Sequence, residues 1–199
     1  MCSYSDMLVS PSYAPACTSF LRVAMSDRYG CPRPLAEQVA RLAGVVDALI
    51  LREKDLDDGA YEVLACEVMR ACDAAGIAFV AHGHAEAARR VGASYIHLPL
   101  PAFEVAGRPR GFELVGTNVH EVDEVARAEA LGADCLIASP VFAPSCKPVA
   151  GRGTDFLCAV IAAAHVPVFA LGGVTDDTEP LIRAAGAAGG VRMSDYMLR

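Results

Sequence analysis

The sequence lacks the features that mark membrane, nucleic-acid-binding and disulfide-stabilised proteins. No uninterrupted apolar run reaches the roughly 20 residues that a membrane helix needs, since the nearest run (158–174) is broken by His165, Pro167 and a glycine pair. The formal charge is −7, with 17 basic and 24 acidic residues, which disfavours binding to nucleic acid or anionic membranes. We therefore expect a soluble protein with neither of these partners.

Cysteine spacing and the first residues exclude two further classes. The eight cysteines include no CxxC pair, so neither a zinc site nor a disulfide framework is indicated. Residues 1–18 lack the basic segment and the continuous apolar stretch of a signal peptide, and we interpret them as an N-terminal extension of a single domain at 19–199. These absences predict a cytoplasmic protein with reduced thiols.

Short apolar segments alternate with amphipathic ones along the rest of the chain. The segments typical of strands are FLRVAMS, VDALILR, IAFVAH, ASYIHL, FELVGT, DCLIASP, VPVFALGG and GGVRMS. Eight strands with helices between them predict an α/β fold, a single (β/α)₈ TIM barrel whose final helix is short or missing. The Pro-rich stretch LPLPAFEVAGRPR lies between the fourth and fifth strands and is assigned to neither a strand nor a helix. An open doubly wound sheet is the alternative, although no early strand–helix turn carries the GxGxxG fingerprint.

Polar side chains collect where the predicted strands end, which is where such barrels carry their active sites. Four of the five histidines fall at these positions, and this clustering favours an enzyme over a purely structural barrel. The candidate ligand-binding residues there are Arg52, Lys54, His82, Ser139 and Lys147.

Two glycines and a serine predict a phosphate site. Gly172 and Gly173 follow strand seven and Ser194 follows strand eight, at a recurrent phosphate-binding position of this fold. Glycine lets backbone N–H groups approach an anion closely. The glycine pair alone would also fit a tight turn.

Arg52 and Lys54 are two residues apart in extended chain, so both can face one side and bind a carboxylate or phosphate. Ion pairing with Glu53 or Asp55 is the alternative. The HxH pair His82 and His84 resembles a metal motif, but no carboxylate is spaced to complete a site, so we predict no metal and no cofactor. His97 is expected to bond within the barrel.

Five motifs in order resemble the thiamine-phosphate synthase/TenI family across about Val23–Ser194. They are LREKDL, GASYIHL, VGTNVHEVDEVARAEALGAD, PVFAPSCK and PVFALGGV. The synthase of this family joins a hydroxymethylpyrimidine pyrophosphate to a thiazole phosphate and uses magnesium. Its pattern has Gln, Asn-Asp, Asp and TxTK where this chain has Ile50, His82-Gly83, Ala102 and residues 144–147 (PSCK), so the resemblance implies that both metal-binding carboxylates are missing.

The TenI-like branch of the family is matched by the MSD ending of strand one (25–27), by Val119-His120 and by Cys146-Lys147. Members of that branch isomerise a carboxythiazole phosphate, and the resemblance implies that His120 is the catalytic proton carrier. The residues themselves indicate a capping box between Asn118 and Glu121, which would place His120 at a helix start that favours a neutral imidazole.

The sequence thus predicts a TenI-like thiazole tautomerase, an isomerase of thiamine biosynthesis that binds a small phosphorylated thiazole-type ligand. Self-association into a homo-oligomer is compatible with the sequence. Two alternatives stay open. One is thiamine-phosphate synthase activity, which is a transferase reaction. The other is a non-catalytic barrel that binds a phosphorylated metabolite.

Overall fold

Strands and helices alternate throughout residues 20–143 and 149–199, the part of the chain that the computed structural model describes. The predicted extension at 1–18 lies outside these residues. The strands are β1 (Leu21–Met25), β2 (Ala48–Leu51), β3 (Ala78–His82), β4 (Tyr95–Leu98), β5 (Leu114–Val119), β6 (Cys135–Ala138), β7 (Val168–Leu171) and β8 (Gly189–Arg192). They form one closed parallel barrel in chain order, with β1 paired to both β2 and β8. The predicted (β/α)₈ barrel is therefore confirmed, and the open sheet is excluded.

The helices surround the barrel and are mostly short. They are α1 (Leu35–Arg41), α2 (Asp58–Ala75), α3 (Ala85–Arg90), α4 (Leu100–Ala106), α5 (Glu124–Ala130), α6 (Gly153–Ala163), α7 (Glu179–Ala184) and α8 (Ser194–Leu198). The helix after β8 is short, as predicted. No helix among the described residues is both long and apolar enough to cross a bilayer.

Helix α4 lies in the Pro-rich stretch to which the sequence analysis assigned no element. Pro101 lies in the first turn of α4, where the missing N–H of proline costs nothing because that group has no partner within the helix. Leu100 and Phe103 are buried against the barrel. Proline at this position starts the helix rather than preventing it.

Apolar residues fill both layers of the fold. One cluster lies between the barrel and its helices, and the other fills the barrel interior. The interior residues are Leu21, Val23, Met25, Ala48, Ile50, Val80, Leu114, Ile137, Phe169 and Val191. Because the interior is packed, ligands must bind at the mouth, where the strands end.

A buried arginine at the end of β8 joins the elements that follow β7 and β8. Arg192 faces the helix layer with 1% of its side chain exposed. Its guanidinium donates to Asp176 at 2.7 Å, to Glu179 at 2.5 Å and to Asp195 at 3.1 Å. These partners lie in the loop after β7, in α7 and in α8, so Arg192 fixes two neighbouring rim segments relative to each other.

Glu179 makes the stability of this cluster dependent on pH. Bonds from Arg22, Arg183 and Arg192 surround the Glu179 carboxylate, and the hydrogen bond from Arg22 is the main cause that lowers its pKa to about 2. In the unfolded chain the Glu179 carboxylate takes up a proton at a higher pH than it does in the folded chain. The stabilisation is therefore complete above the ordinary carboxyl pKa and is lost as the pH falls toward 2.

We expect the Glu179→Gln variant to lose this part of the acid dependence. Between about pH 5 and pH 2 the wild type should lose about 3 kcal/mol of unfolding free energy more than the variant does. Urea denaturation at a series of pH values measures the difference. Glu113→Gln, at an exposed glutamate, is the matched control and should leave the wild-type slope unchanged. Equal slopes for wild type and Glu179→Gln would refute the assignment.

Candidate active site at the barrel mouth

The residues after β2 alternate between the mouth and the helix layer. Glu53 is 3% exposed and accepts hydrogen bonds from Ser26 Oγ at 2.6 Å and from the Arg28 guanidinium at 2.9 Å. Ser26 Oγ also accepts from the backbone N–H of Arg52 at 2.8 Å. Arg28 is therefore the cation that pairs with Glu53, and the buried serine holds the backbone of Arg52 in position at the rim.

Two histidines on adjacent strands lie beside these cations. His82 ends β3 and pairs in register with His97 of β4, and their rings stack with centroids 5.2 Å apart. Burial lowers the pKa of His82 to about 2 and that of His97 to about 4, and the positive charges of Arg52 and Lys54 add to both shifts. Both imidazoles are therefore neutral at physiological pH. Arg52, Lys54 and His82 therefore lie near one another at the ends of β2 and β3.

His97 is buried without the hydrogen bond that the sequence analysis expected. Neither of its ring nitrogens has a partner among the described residues, so the expectation of a bonded histidine was wrong. The imidazole borders a small cavity of about 30 Å³ in the barrel interior. Both nitrogens are themselves buried, so His97 is a buried polar group of the barrel interior.

An open cavity of about 460 Å³ lies at the ends of β2, β3 and β4, and we call it the cation pocket. It is lined by Lys54, Asp58, His82, Gly83, His84, Ala85, Glu86 and Pro99. Within it, His84 Nδ1 lies 2.7 Å from Asp58 Oδ1. The lining carries one cation, Lys54, and two carboxylates, of which Asp58 contacts His84 and Glu86 is paired with Arg89. Lys54 and the neutral imidazole of His82 are therefore the groups through which the pocket could bind an anion.

Sequence reasoning missed Tyr61, which holds this pocket together. The Tyr61 hydroxyl donates to the Leu51 carbonyl at 2.9 Å and accepts from the backbone N–H of His82 at 2.9 Å. Its ring stacks on His84 with centroids 4.2 Å apart. Asp58 and Tyr61 are three residues apart on α2 and so share a helix face, which is the one signal that could have linked them to the rim.

The glycine pair after β7 is required by close packing. Gly172 and Gly173 have φ values of +104° and +57°, in the region that favours glycine. A Cβ on Gly172 would lie 2.9 Å from Pro140 Cα, and one on Gly173 would lie 2.6 Å from Phe142 Cβ. The loop after β6 therefore rests directly on the loop after β7. Because β7 pairs with β8, Ser194 lies at the adjacent position on the rim.

His120 and Ser139 contact each other across the ends of β5 and β6. His120 Nδ1 lies 2.8 Å from the Ser139 carbonyl, and His120 Nε2 lies 2.6 Å from Asn118 Nδ2. The carbonyl requires Nδ1 to donate, so Nε2 accepts from the amide of Asn118. Both ring nitrogens are therefore engaged, and His120 links two strand ends. Lys147, the remaining predicted residue, lies outside the described residues.

The predicted capping box between Asn118 and Glu121 was wrong. Asn118 belongs to β5, and helix α5 begins only at Glu124. The Glu124 carboxylate accepts from the backbone N–H groups of His120 and Glu121, at 2.5 Å and 3.1 Å. The acidic residue that satisfies these N–H groups is therefore three positions later than predicted.

The described residues do not fit a magnesium ion. Mg²⁺ requires hard oxygen ligands in octahedral geometry. Gly83 and Ala102 occupy the positions at which the family pattern has carboxylates, and neither carries a side-chain oxygen. No group of three or more His, Cys, Asp or Glu residues suited to a metal occurs in 20–143 or 149–199.

Comparison with known proteins places the chain in a family. The model of the family described as thiamine monophosphate synthase matches residues 23–195. The chain belongs to this family. The thiamine-phosphate synthase of Moorella thermoacetica is 34% identical over 176 residues, which cover 85% of this chain and 83% of that protein. The putative thiamine-phosphate synthase of Geobacter sulfurreducens is 36% identical over 163 residues, which cover 78% of this chain and 75% of that protein.

A solved structure agrees with the fold. The thiamine phosphate pyrophosphorylase of Pyrococcus furiosus superposes with a TM-score of 0.75 at 23% identity, covering 90% of this chain and 88% of that one. The relatives carry the name of the synthase, a transferase, and this finding overturns the predicted thiazole tautomerase and its isomerase chemistry.

Proposed function

We propose that this protein is a transferase of the thiamine-phosphate synthase type. It joins the hydroxymethylpyrimidine group of a pyrimidine pyrophosphate to the ring nitrogen of a thiazole phosphate. The bond between the pyrimidine methylene carbon and the pyrophosphate oxygen breaks, a carbon–nitrogen bond forms, and pyrophosphate leaves. The reaction needs two oxyanion-binding regions close enough for their ligands to meet.

The observation that supports this proposal is the placement of two such regions on either side of one strand. The cation pocket, with Arg52 and Lys54 beside it, follows β2 and β3, while Gly172, Gly173 and Ser194 follow β7 and β8. Because β1 pairs with both β2 and β8, only the end of β1 separates the two regions. Two phosphorylated substrates bound there would have their rings together over the barrel mouth.

Each region has a role in the proposed reaction. Arg52 and Lys54 bind the pyrophosphate and stabilise its negative charge as the carbon–oxygen bond breaks. His82, held neutral, offers a hydrogen bond without adding charge. Gly172, Gly173 and Ser194 bind the thiazole phosphate through backbone N–H groups and the serine hydroxyl, which orients the ring nitrogen toward the pyrimidine methylene. Ser139, at the end of β6, is assigned to the edge of the thiazole site.

The test is the formation of thiamine phosphate from the two substrates by the purified protein. We expect turnover on the order of 1 s⁻¹, with product only when both substrates are present. Thiamine phosphate is measured by oxidation to its fluorescent thiochrome derivative. If each substrate binds but no product forms above the uncatalysed rate, the transferase proposal is refuted and the protein only binds phosphorylated metabolites.

A further inference from the structure

The barrel rim departs from the family pattern where that pattern places its metal ligands. Gly83 follows β3 with φ of +82°, and a Cβ built there would meet no atom within 4 Å. Ala102 lies exposed in the first turn of α4. The positions are therefore open but carry no oxygen donor, and the space at Gly83 is not filled by a neighbouring side chain.

Nearby carboxylates do not replace the missing pair. Asp58 and Glu86 line the cation pocket, but Asp58 is hydrogen-bonded to His84 and Glu86 is paired with Arg89. A magnesium ion bound together with a pyrophosphate is usually held by one or two carboxylates of the protein. Both carboxylates of the pocket thus already have a partner, and no group of three or more His, Cys, Asp or Glu residues that could hold a metal occurs in the part of the chain that the structure describes.

Two positive side chains, Arg52 and Lys54, lie at the end of the barrel that also carries Gly83. Arg52 and Lys54 act electrostatically on both His82 and His97, so their charges lie close to the ends of β3 and β4. Together they carry two fixed positive charges, the same charge that one Mg²⁺ would supply. Arginine binds oxyanions through a planar fork and lysine as a point charge, and neither requires a metal.

We propose that this protein binds the pyrophosphate of its substrate without a magnesium ion, because Arg52 and Lys54 lie at the end of the barrel where Gly83 and Ala102 stand in place of the metal-binding carboxylates. The inference rests on the proposed function for the identity of the substrate. It predicts that inorganic pyrophosphate binds to the pocket directly, as a free anion.

The experiment is calorimetric titration of the wild-type protein with inorganic pyrophosphate, once in EDTA and once in excess Mg²⁺ at matched ionic strength. We expect binding in EDTA to be at least as tight as in Mg²⁺, because magnesium competes with the protein for the free anion. Arg52→Met and Lys54→Met should each weaken binding in EDTA by about tenfold or more. Binding seen only with Mg²⁺, or no binding in either buffer, would overturn the inference.

The double variant Gly83→Asp/Ala102→Asp is a second test, since it returns both carboxylates to the pocket. Aspartate is among the residues that best tolerate a positive φ, and the space beside Gly83 is open. We expect this variant to bind pyrophosphate about tenfold more tightly with Mg²⁺ than in EDTA, the reverse of the wild type. Tighter wild-type binding with Mg²⁺ than in EDTA would contradict the proposal, whether or not the variant folds.

Failure of this inference is distinguishable from failure of the proposed function. Metal-free binding of pyrophosphate without formation of thiamine phosphate would support the inference and refute the transferase. Formation of thiamine phosphate together with pyrophosphate binding only in Mg²⁺ would support the transferase and refute the metal-free binding of pyrophosphate.

Discussion

Replacing Arg52 with Met should lower kcat/KM for thiamine phosphate formation by about 10²- to 10³-fold. The charge on the departing pyrophosphate grows as the carbon–oxygen bond breaks, so a guanidinium placed there stabilises the transition state more than the ground state. Methionine keeps most of the apolar stem of the side chain. The backbone N–H of residue 52 still donates to Ser26, so the rim should keep its conformation. Steady-state kinetics with the pyrimidine substrate varied measure the loss.

Arg110→Met is the matched control, because Arg110 is exposed in the loop before β5 at the opposite end of the barrel. It should retain kcat/KM within about twofold of wild type, well under the tenfold that 1.36 kcal/mol would give. Thermal unfolding of both variants checks that the fold is intact. A folded Arg52→Met protein with wild-type kcat/KM would remove Arg52 from the proposed site.

Replacing Arg192 with Met should lower the unfolding free energy by about 3 kcal/mol. The substitution removes the most buried of the cations around Glu179 and leaves Arg199 as the remaining bridge between Asp176 and Asp195. Breaking a buried ion pair by removing one partner is strongly destabilising, and Glu179 would keep only the more exposed Arg22 and Arg183. Urea denaturation at pH 7 measures the change.

Arg183→Met provides the comparison, since Arg183 pairs with the same Glu179 carboxylate but has 42% of its side chain exposed. A pair of that exposure typically contributes about 1 kcal/mol or less. Equal losses for the two variants would show that burial of Arg192 does not determine its contribution.

The barrel was predictable from sequence because its signal is repeated. Each strand is a short apolar segment, and each is followed by a turn and in most cases by an amphipathic stretch, so a local error does not change the count. No helix was assigned to the Pro-rich stretch that contains α4, although proline is well tolerated in a first turn and Pro101 lies there. The predicted capping box was wrong because β5 continues through Asn118, and the carboxylate that accepts from the His120 N–H belongs to Glu124.

From the sequence, the only part of the site that could be predicted was the set of residues that directly follow the strands. Arg52, Lys54 and His82 follow adjacent strands, so the fold alone brings them together. Tyr61 was not foreseen because its role depends on where α2 packs. The tautomerase prediction gave weight to His120 and to the two absent carboxylates, which are single positions. Similarity along most of the chain instead associates it with relatives named as synthases.

The central claim is that one site transfers the pyrimidine group to the thiazole, and the ratio of the two products tests it most directly. Wild-type protein is incubated with both substrates, and pyrophosphate and thiamine phosphate are quantified in the same samples over time. The account predicts one pyrophosphate for each thiamine phosphate, and neither product when the thiazole phosphate is omitted. Release of pyrophosphate without thiamine phosphate, or the absence of both products with both substrates present, would contradict it.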